Sequence, residues 1–107
     1  MSGVGSRTVK AVAERTGLPP RTVRFYAREG VVCPVERSDG DYRLYSDTEE
    51  EQLRLVKIAR DAGLSLDQAR RVLASPRPKV ALHAALRTRS RDLSRLMDSV
   101  SERGGPR

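Results

Sequence analysis

The sequence predicts a mainly α fold in which a short helix, a tight turn and a second helix lead into a small β-hairpin and further helices. Three observations predict it. The stretch from Arg15 to Tyr45 reads RTGLPPRTVRFYAREGVVCPVERSDGDYRLY, with Gly17 stopping one helix and Pro19-Pro20 opening the next. Val35-Glu36-Arg37 and Tyr42-Arg43-Leu44-Tyr45 alternate across Ser38-Asp39-Gly40-Asp41, a strong turn signal. Arg21, Arg24 and Arg28 stand three and four apart, so they share one face of the second helix. Helix, turn, helix and hairpin in that order is a winged helix-turn-helix. A basic helix face beside Phe25 and Tyr26 suits a DNA major groove and its flanking phosphates.

Each element has a local cause. Met1 to Ser6 is small and polar and is expected to fray. Thr8 caps a first helix that holds Val9, Val12 and Ala13 inward, and Leu18 packs back across the turn after Gly17. In the second helix, Arg21 to Glu29, Val23 and Ala27 face the core while Tyr26 lies at the edge with its hydroxyl outward. Gly30 closes that helix, and Val31-Val32 begin an extended path that Pro34 continues. In the hairpin, Leu44 faces inward and Arg43 and Tyr45 face the other side.

Ser46 and Glu49 form a capping box for a third helix, with Leu53, Val56, Ala59 and Ala62 (Ile58 near them) as its apolar stripe up to Gly63. Ser65 caps a fourth, with Leu66, Ala69, Val72 and Leu73 periodic, and Pro76 and Pro78 break it. From about Val80 to Glu102 the chain reads as helix again. Its Leu82, Leu86, Arg89, Leu93, Leu96 and Val100 form a heptad seam with one charged slot. The organisation is therefore residues 1–75 as a winged helix-turn-helix unit and 76–107 as a dimerisation helix with a short tail.

Composition narrows the partners. The chain has 107 residues, 21 Lys and Arg against 14 Asp and Glu, and a net charge of +7, which favours a polyanion. The excess is +3 over residues 1–45, −1 over 46–75 and +5 over 76–107, so it lies at the two ends. A hydrophobic content of 37% points to a small core with an apolar seam left for a partner. No apolar run approaches bilayer length and no signal-peptide core opens the chain, so a cytoplasmic location is expected.

Chemistry has no visible carrier. One Cys and one His, with no phosphate-cradling glycine loop and no paired carboxylates, lead us to expect no catalysis, no cofactor and no bound metal. Cys33 has no ligand-spaced cysteine and no neighbouring base, which favours a structural thiol. His83 reads as an ordinary surface or interface histidine. Charges at helical spacing are usually a solvated face. It is the addition of Tyr26, Tyr42 and Arg43 that moves Arg21 and Arg24 toward phosphate and base contact. Arg28 also suits the helix dipole, and the basic tail from Arg87 to Arg107 reads mainly as a solvated face.

The blocks RTGLPPRTVRFYAREGVV and GDYRLYSDTEEEQLRLVKIARDAGLSLDQARRVL resemble the DNA-binding domain of the MerR family of bacterial transcription regulators, over roughly residues 8–74. The resemblance implies a homodimer joined by an antiparallel coiled coil of long C-terminal helices. It implies a pseudo-palindromic promoter operator, whose over-long spacer is bent and untwisted for RNA polymerase. By position, it assigns DNA contacts to Arg21, Thr22, Arg24 and Tyr26, phosphate grips to Tyr42 and Arg43, and support of the wing to Arg60. Dimerisation falls to Leu82, Leu86, Leu93, Leu96 and Val100.

The sequence departs from the family pattern at Ala27, usually acidic, at Phe25, often tyrosine, and at Pro20, usually a flexible polar residue. It stops after the coiled-coil helix, so the expectation is a short form without the usual effector-sensing segment and without a response to metals, drugs or oxidants. A chain ending at Pro76 is expected to be monomeric yet folded. Two other readings remain: a sensor-less architectural or repressor DNA-binding protein, and a protein-interaction module using the last helix.

Overall fold

Five helices and one pair of strands make up the computed structural model, which describes residues 7–37 and 43–103. Helix α1 (Val9–Thr16) begins where the Thr8 side chain accepts a hydrogen bond from the Ala11 N–H at 3.2 Å. It ends at Gly17, whose φ of +78° only a residue without Cβ adopts freely. The N–H groups of Gly17 and Leu18 both return to the Ala13 carbonyl, which turns the chain into α2 (Pro20–Arg28). Pro20 is the first residue of α2, where its missing N–H costs nothing. The two helices send Val12, Ala13 and Thr16, and then Val23 and Tyr26, into one core.

Strands β1 (Glu36–Arg37) and β2 (Arg43–Leu44) pair antiparallel, with Glu36 opposite Leu44 and Arg37 opposite Arg43. The expected turn at 38–41, with Tyr42, lies outside the described residues, as does the N-terminal stretch expected to fray. The expected alternation stops at Tyr45, which is fully buried while Leu44 is only half-buried. The reason is a change of pairing. Tyr45 leaves β1 and exchanges two backbone hydrogen bonds of 2.7 Å with Arg7, then turns inward ahead of Ser46. The residue expected on the outer face is thus the largest fully buried side chain of the core.

Helix α3 (Asp47–Asp61) is the centre of that core. The Glu49 carboxylate accepts the Ser46 N–H at 3.2 Å, closing the expected capping box. Leu53 and Ala59 are fully buried and Val56 nearly so. Leu55, outside the expected stripe, is buried as well, because the start of α5 (Pro78–Arg103) packs beside it with Pro78 and Val80. Ile58 is exposed instead. Helix α4 (Leu66–Ala74) starts with a reciprocal cap: the Gln68 N–H donates to the Ser65 hydroxyl at 3.1 Å, and the Ser65 N–H to the Gln68 side chain at 2.7 Å.

The core does not stop at residue 75. Leu82 is only 5% exposed, and Ala81, Ala85 and Leu86 pack against the same cluster. The apolar stripe of α5 therefore divides. Its first half closes the chain's own core on α3 and α4, while Leu93, Leu96, Met97 and Val100 face outward at 41%, 60%, 71% and 68% exposure. A compact chain of this length has a radius of gyration of about 13 Å. The observed value is 17.7 Å, with a longest extent of 69 Å. The difference is the free half of α5, projecting from the globule.

Candidate nucleic-acid interface

The outward face of α2 is built by default. Val23 and Tyr26 are held in the core, so Arg21, Arg24, Phe25 and Arg28, at the complementary spacings, must face solvent, and all four are exposed. Thr22 is half-buried at the margin. Tyr26 differs from its expected edge position. It is 5% exposed, because the turn at Gly30 tucks the following segment over it, with the Val31 N–H donating to the Tyr26 carbonyl at 2.8 Å. Its ring lies 5.7 Å from that of Phe25, so it anchors from below the aromatic that α2 shows to solvent.

Two long-range contacts brace the helix-turn-helix, one at the end of α2 and one on α1, and neither has a signature in local spacing. Arg70 of α4 donates to the Glu29 carbonyl at 2.6 Å, just past the last turn, while Asp67 holds the same guanidinium at 2.9 Å. That bond satisfies an orphan carbonyl and ties α2 to α4. Arg70→Ala is expected to lower stability by about 0.5–1.5 kcal/mol. Amide exchange should accelerate at Gly30 and Val31 before it does in α3; unchanged local exchange would show that the tie contributes nothing.

The second contact is a cluster around Glu50 on α3. Its carboxylate meets Arg15 of α1 at 2.7 Å, Arg54 at 2.7 Å and Arg7 at 3.3 Å, while Arg7 also reaches Asp47 at 2.7 Å. One buried carboxylate thus joins α1, α3 and the segment paired to Tyr45 beside the strands. Burial pushes the Glu50 carboxyl up; the hydrogen bonds from Arg15 and Arg54 and the charges of Arg7 and Arg15 outweigh it and leave it below its ordinary value. Arg15 is raised in turn, by its hydrogen bond to Glu50 and by that carboxylate's charge.

The remaining sequence candidates are scattered. Arg43 stands in β2 opposite Arg37, next to the described end of the strand pair; Tyr42 lies outside the described residues. Arg60 is exposed, but donates to the Leu64 carbonyl at 2.9 Å, so it closes the end of α3. Arg89 folds back against Gly63 rather than extending along the free seam. Cys33 is exposed, with its thiol 3.7 Å from the Ala27 carbonyl. Among the described residues, no helix is long and apolar enough to cross a membrane.

A helix-turn-helix whose second helix shows arginines outward, followed along the chain by a pair of short strands, defines the helix-turn-helix class of DNA-binding domain. The chain belongs to the MerR HTH family of regulatory proteins, whose profile matches residues 7–76. It is 39% identical over 66 residues to the HTH-type transcriptional regulator CueR of Yersinia pestis, covering 62% of this chain and 48% of that one. It is 39% identical over 62 residues to HmrR of Rhizobium leguminosarum bv. viciae, covering 58% and 47% respectively. The chain thus spans about half the length of these curated relatives.

Solved structures agree with the fold. The N-terminus of MtaN, the Bacillus subtilis multidrug transporter activator, superposes with a TM-score of 0.65 at 27% identity, covering 94% of this chain and 99% of that one. HiNmlR, a MerR family regulator lacking the sensor domain and bound to promoter DNA, superposes with a TM-score of 0.66 at 23% identity, covering 87% and 79%.

Proposed function

We propose that this chain is a transcription regulator that binds a pseudo-palindromic promoter operator as a homodimer, acting on RNA polymerase through the shape of the DNA. The observation that carries the reading is the outward face of α2. Arg21, Arg24 and Arg28 lie in one exposed stripe with Phe25, on a helix immobilised by Val23, Tyr26 and the Arg70 tie. Arg21 and Arg24, at the helix start and middle, address base edges, with Thr22 at their margin; Arg43 and Tyr42 of the wing hold phosphate. Tyr26 acts from beneath as an anchor, and Arg60 by fixing the α3–α4 turn. The relative bound to promoter DNA supports the same docking by likeness of fold.

The free end of α5 supplies the second protomer. Leu93, Leu96, Met97 and Val100 stand at spacings of three and four on the projecting half and are exposed among the described residues. An antiparallel pairing of two such helices covers them and sets the distance between two copies of α2.

Selection of bound DNA from a random pool, followed by footprinting, tests the proposal. A compact two-fold protection within a promoter spacer is expected, whereas an extended protection, or none, overturns it. Binding should also be steeply salt-dependent, with log affinity falling about 0.9 per log salt for each phosphate neutralised. Arg43→Ala is expected to weaken all sequences and flatten that slope. Arg21→Ala is expected to relax preference at one operator position, at a cost of roughly 1–3 kcal/mol. Equal losses on operator and random DNA would remove the base-reading role from Arg21.

A further inference from the structure

The turn between α3 and α4, with α4 and α5, lines an open cleft of about 330 Å³. Its lining includes apolar Leu64, Val72, Ala81 and Ala85 and neutral polar Gln68 and Thr88. It also includes two guanidinium groups, Arg71 from α4 and Arg89 from α5. Neither arginine has an ion-pair partner among the described residues, whereas Arg70, the neighbour of Arg71, pairs with Asp67. The Arg89 Nε is buried and meets no acceptor there. This is an unusual position for a charged donor, since burial without an acceptor is costly.

The backbone makes room for that guanidinium. A Cβ on Gly63 would stand 2.8 Å from one Arg89 Nη and 3.2 Å from its Nε, at a φ of +92° that favours glycine anyway. Asp92 also lines the cleft, held loosely by Arg95 at 3.9 Å. Two arginines and one aspartate leave a single net positive charge beside the apolar side chains. The volume lies at the small end of ligand sites, which run from roughly 300 to 1,000 Å³.

We propose that this cleft is a binding site for a small organic monocarboxylate. The carboxylate accepts from Arg89 and Arg71, and the short apolar body lies on Leu64, Val72, Ala81 and Ala85. A fully inorganic anion leaves the apolar lining unused, and a dianion exceeds the single positive charge. The site has a route to α2: Arg71, which lines the cleft, is the neighbour of Arg70, which grips the Glu29 carbonyl. Occupancy by a carboxylate thus bears on the same short helix that holds the candidate reading helix.

The test titrates the full chain with hexanoate, with hexan-1-ol and inorganic phosphate as comparisons. Calorimetry follows binding, and the arginine Nε–H resonances report its place. Saturable hexanoate binding that shifts the Arg89 resonance is expected, with both comparisons weaker by roughly tenfold or more. Arg89→Gln and Arg71→Gln should each abolish the preference for hexanoate over hexan-1-ol. Ala85→Leu, which crowds the apolar lining with the arginines intact, should weaken hexanoate alone and keeps the test valid if an arginine variant fails to fold. No saturable binding, or phosphate binding as tightly as hexanoate, overturns the site. So does an Arg89→Gln variant that dissociates a dimer while hexanoate leaves the parent unchanged, because the guanidinium then belongs to a carboxylate of the second protomer.

Discussion

A chain ended after Pro76 is expected to lose its fold, whereas Leu93→Glu is expected to lose only its partner. The sequence alone led us to expect a folded monomer from the truncation, on the view that residues 1–75 close their own core. The structure places Leu82 in that core, with Ala81, Ala85 and Leu86 packed against it, and Leu55 buried under the start of α5. Burying one leucine side chain is worth about 1.5–3 kcal/mol. Total stability for a small domain is only about 5–15 kcal/mol, so removing this group together leaves little or none. Leu93 is 41% exposed in the single chain, so a charge there changes the monomer little, by roughly 0.5 kcal/mol. In the proposed dimer, the same charge falls between two apolar stripes. Sedimentation of Leu93→Glu should therefore show a monomer with nearly the parental melting temperature. Its operator affinity should fall by roughly 10²–10⁴-fold, since each half-site then binds unassisted. A Leu93→Glu chain that stays dimeric would remove the seam from the dimer, and a truncated chain that melts cooperatively would refute the shared core.

What the sequence could and could not show follows from the range of each interaction. Caps and stops act within one turn, so Thr8, Gly17, Pro20, Gly30, Ser46 with Glu49, and Ser65 all mark the observed helix ends. The exposed arginines of α2 were legible for the same reason, since periodicity alone opposes them to Val23. Tyr45 was misplaced because strand alternation assumes one partner strand, and it changes partner to Arg7, 38 positions away. Leu55 fell outside the expected stripe and Leu82 was expected in the dimer seam, because a single-helix stripe records one face, while both are buried in the chain's own core. The Glu50 cluster and the Arg70 tie join residues 35 and 41 apart, at which separation sequence spacing carries no signal. An expectation that reached past the described residues, the role of Tyr42, remains a proposal from likeness.

Glu50→Gln is expected to destabilise the fold at neutral pH and to match the parent in acid. The carboxylate is held below its ordinary value of 4.5, so its contribution is fully present above that value and is lost as pH falls through the lower, folded one. Glutamine keeps the shape and removes the charge, which is the state the parent reaches when Glu50 is protonated. The difference between parent and variant should therefore be constant above about pH 5.5 and shrink toward zero in acid. Its size is set by burial and by screening together. The Glu50 side chain is 7% exposed, which strengthens its bonds, but Arg15 and Arg54 are 51% and 43% exposed and remain hydrated without it. Roughly 1–2 kcal/mol results, less than the value for a wholly buried pair. That corresponds to a drop in melting temperature of about 4–8 °C per kcal/mol for a domain of this size. Because Glu50 links α1 and the Arg7 segment to α3, loosening should appear first in the amide exchange of Val12 and Ala13. Denaturant melts of both proteins across the acid range are the measurement. Parallel pH profiles, with a constant offset or with none, would show that the Glu50 carboxylate carries no charge-dependent stability.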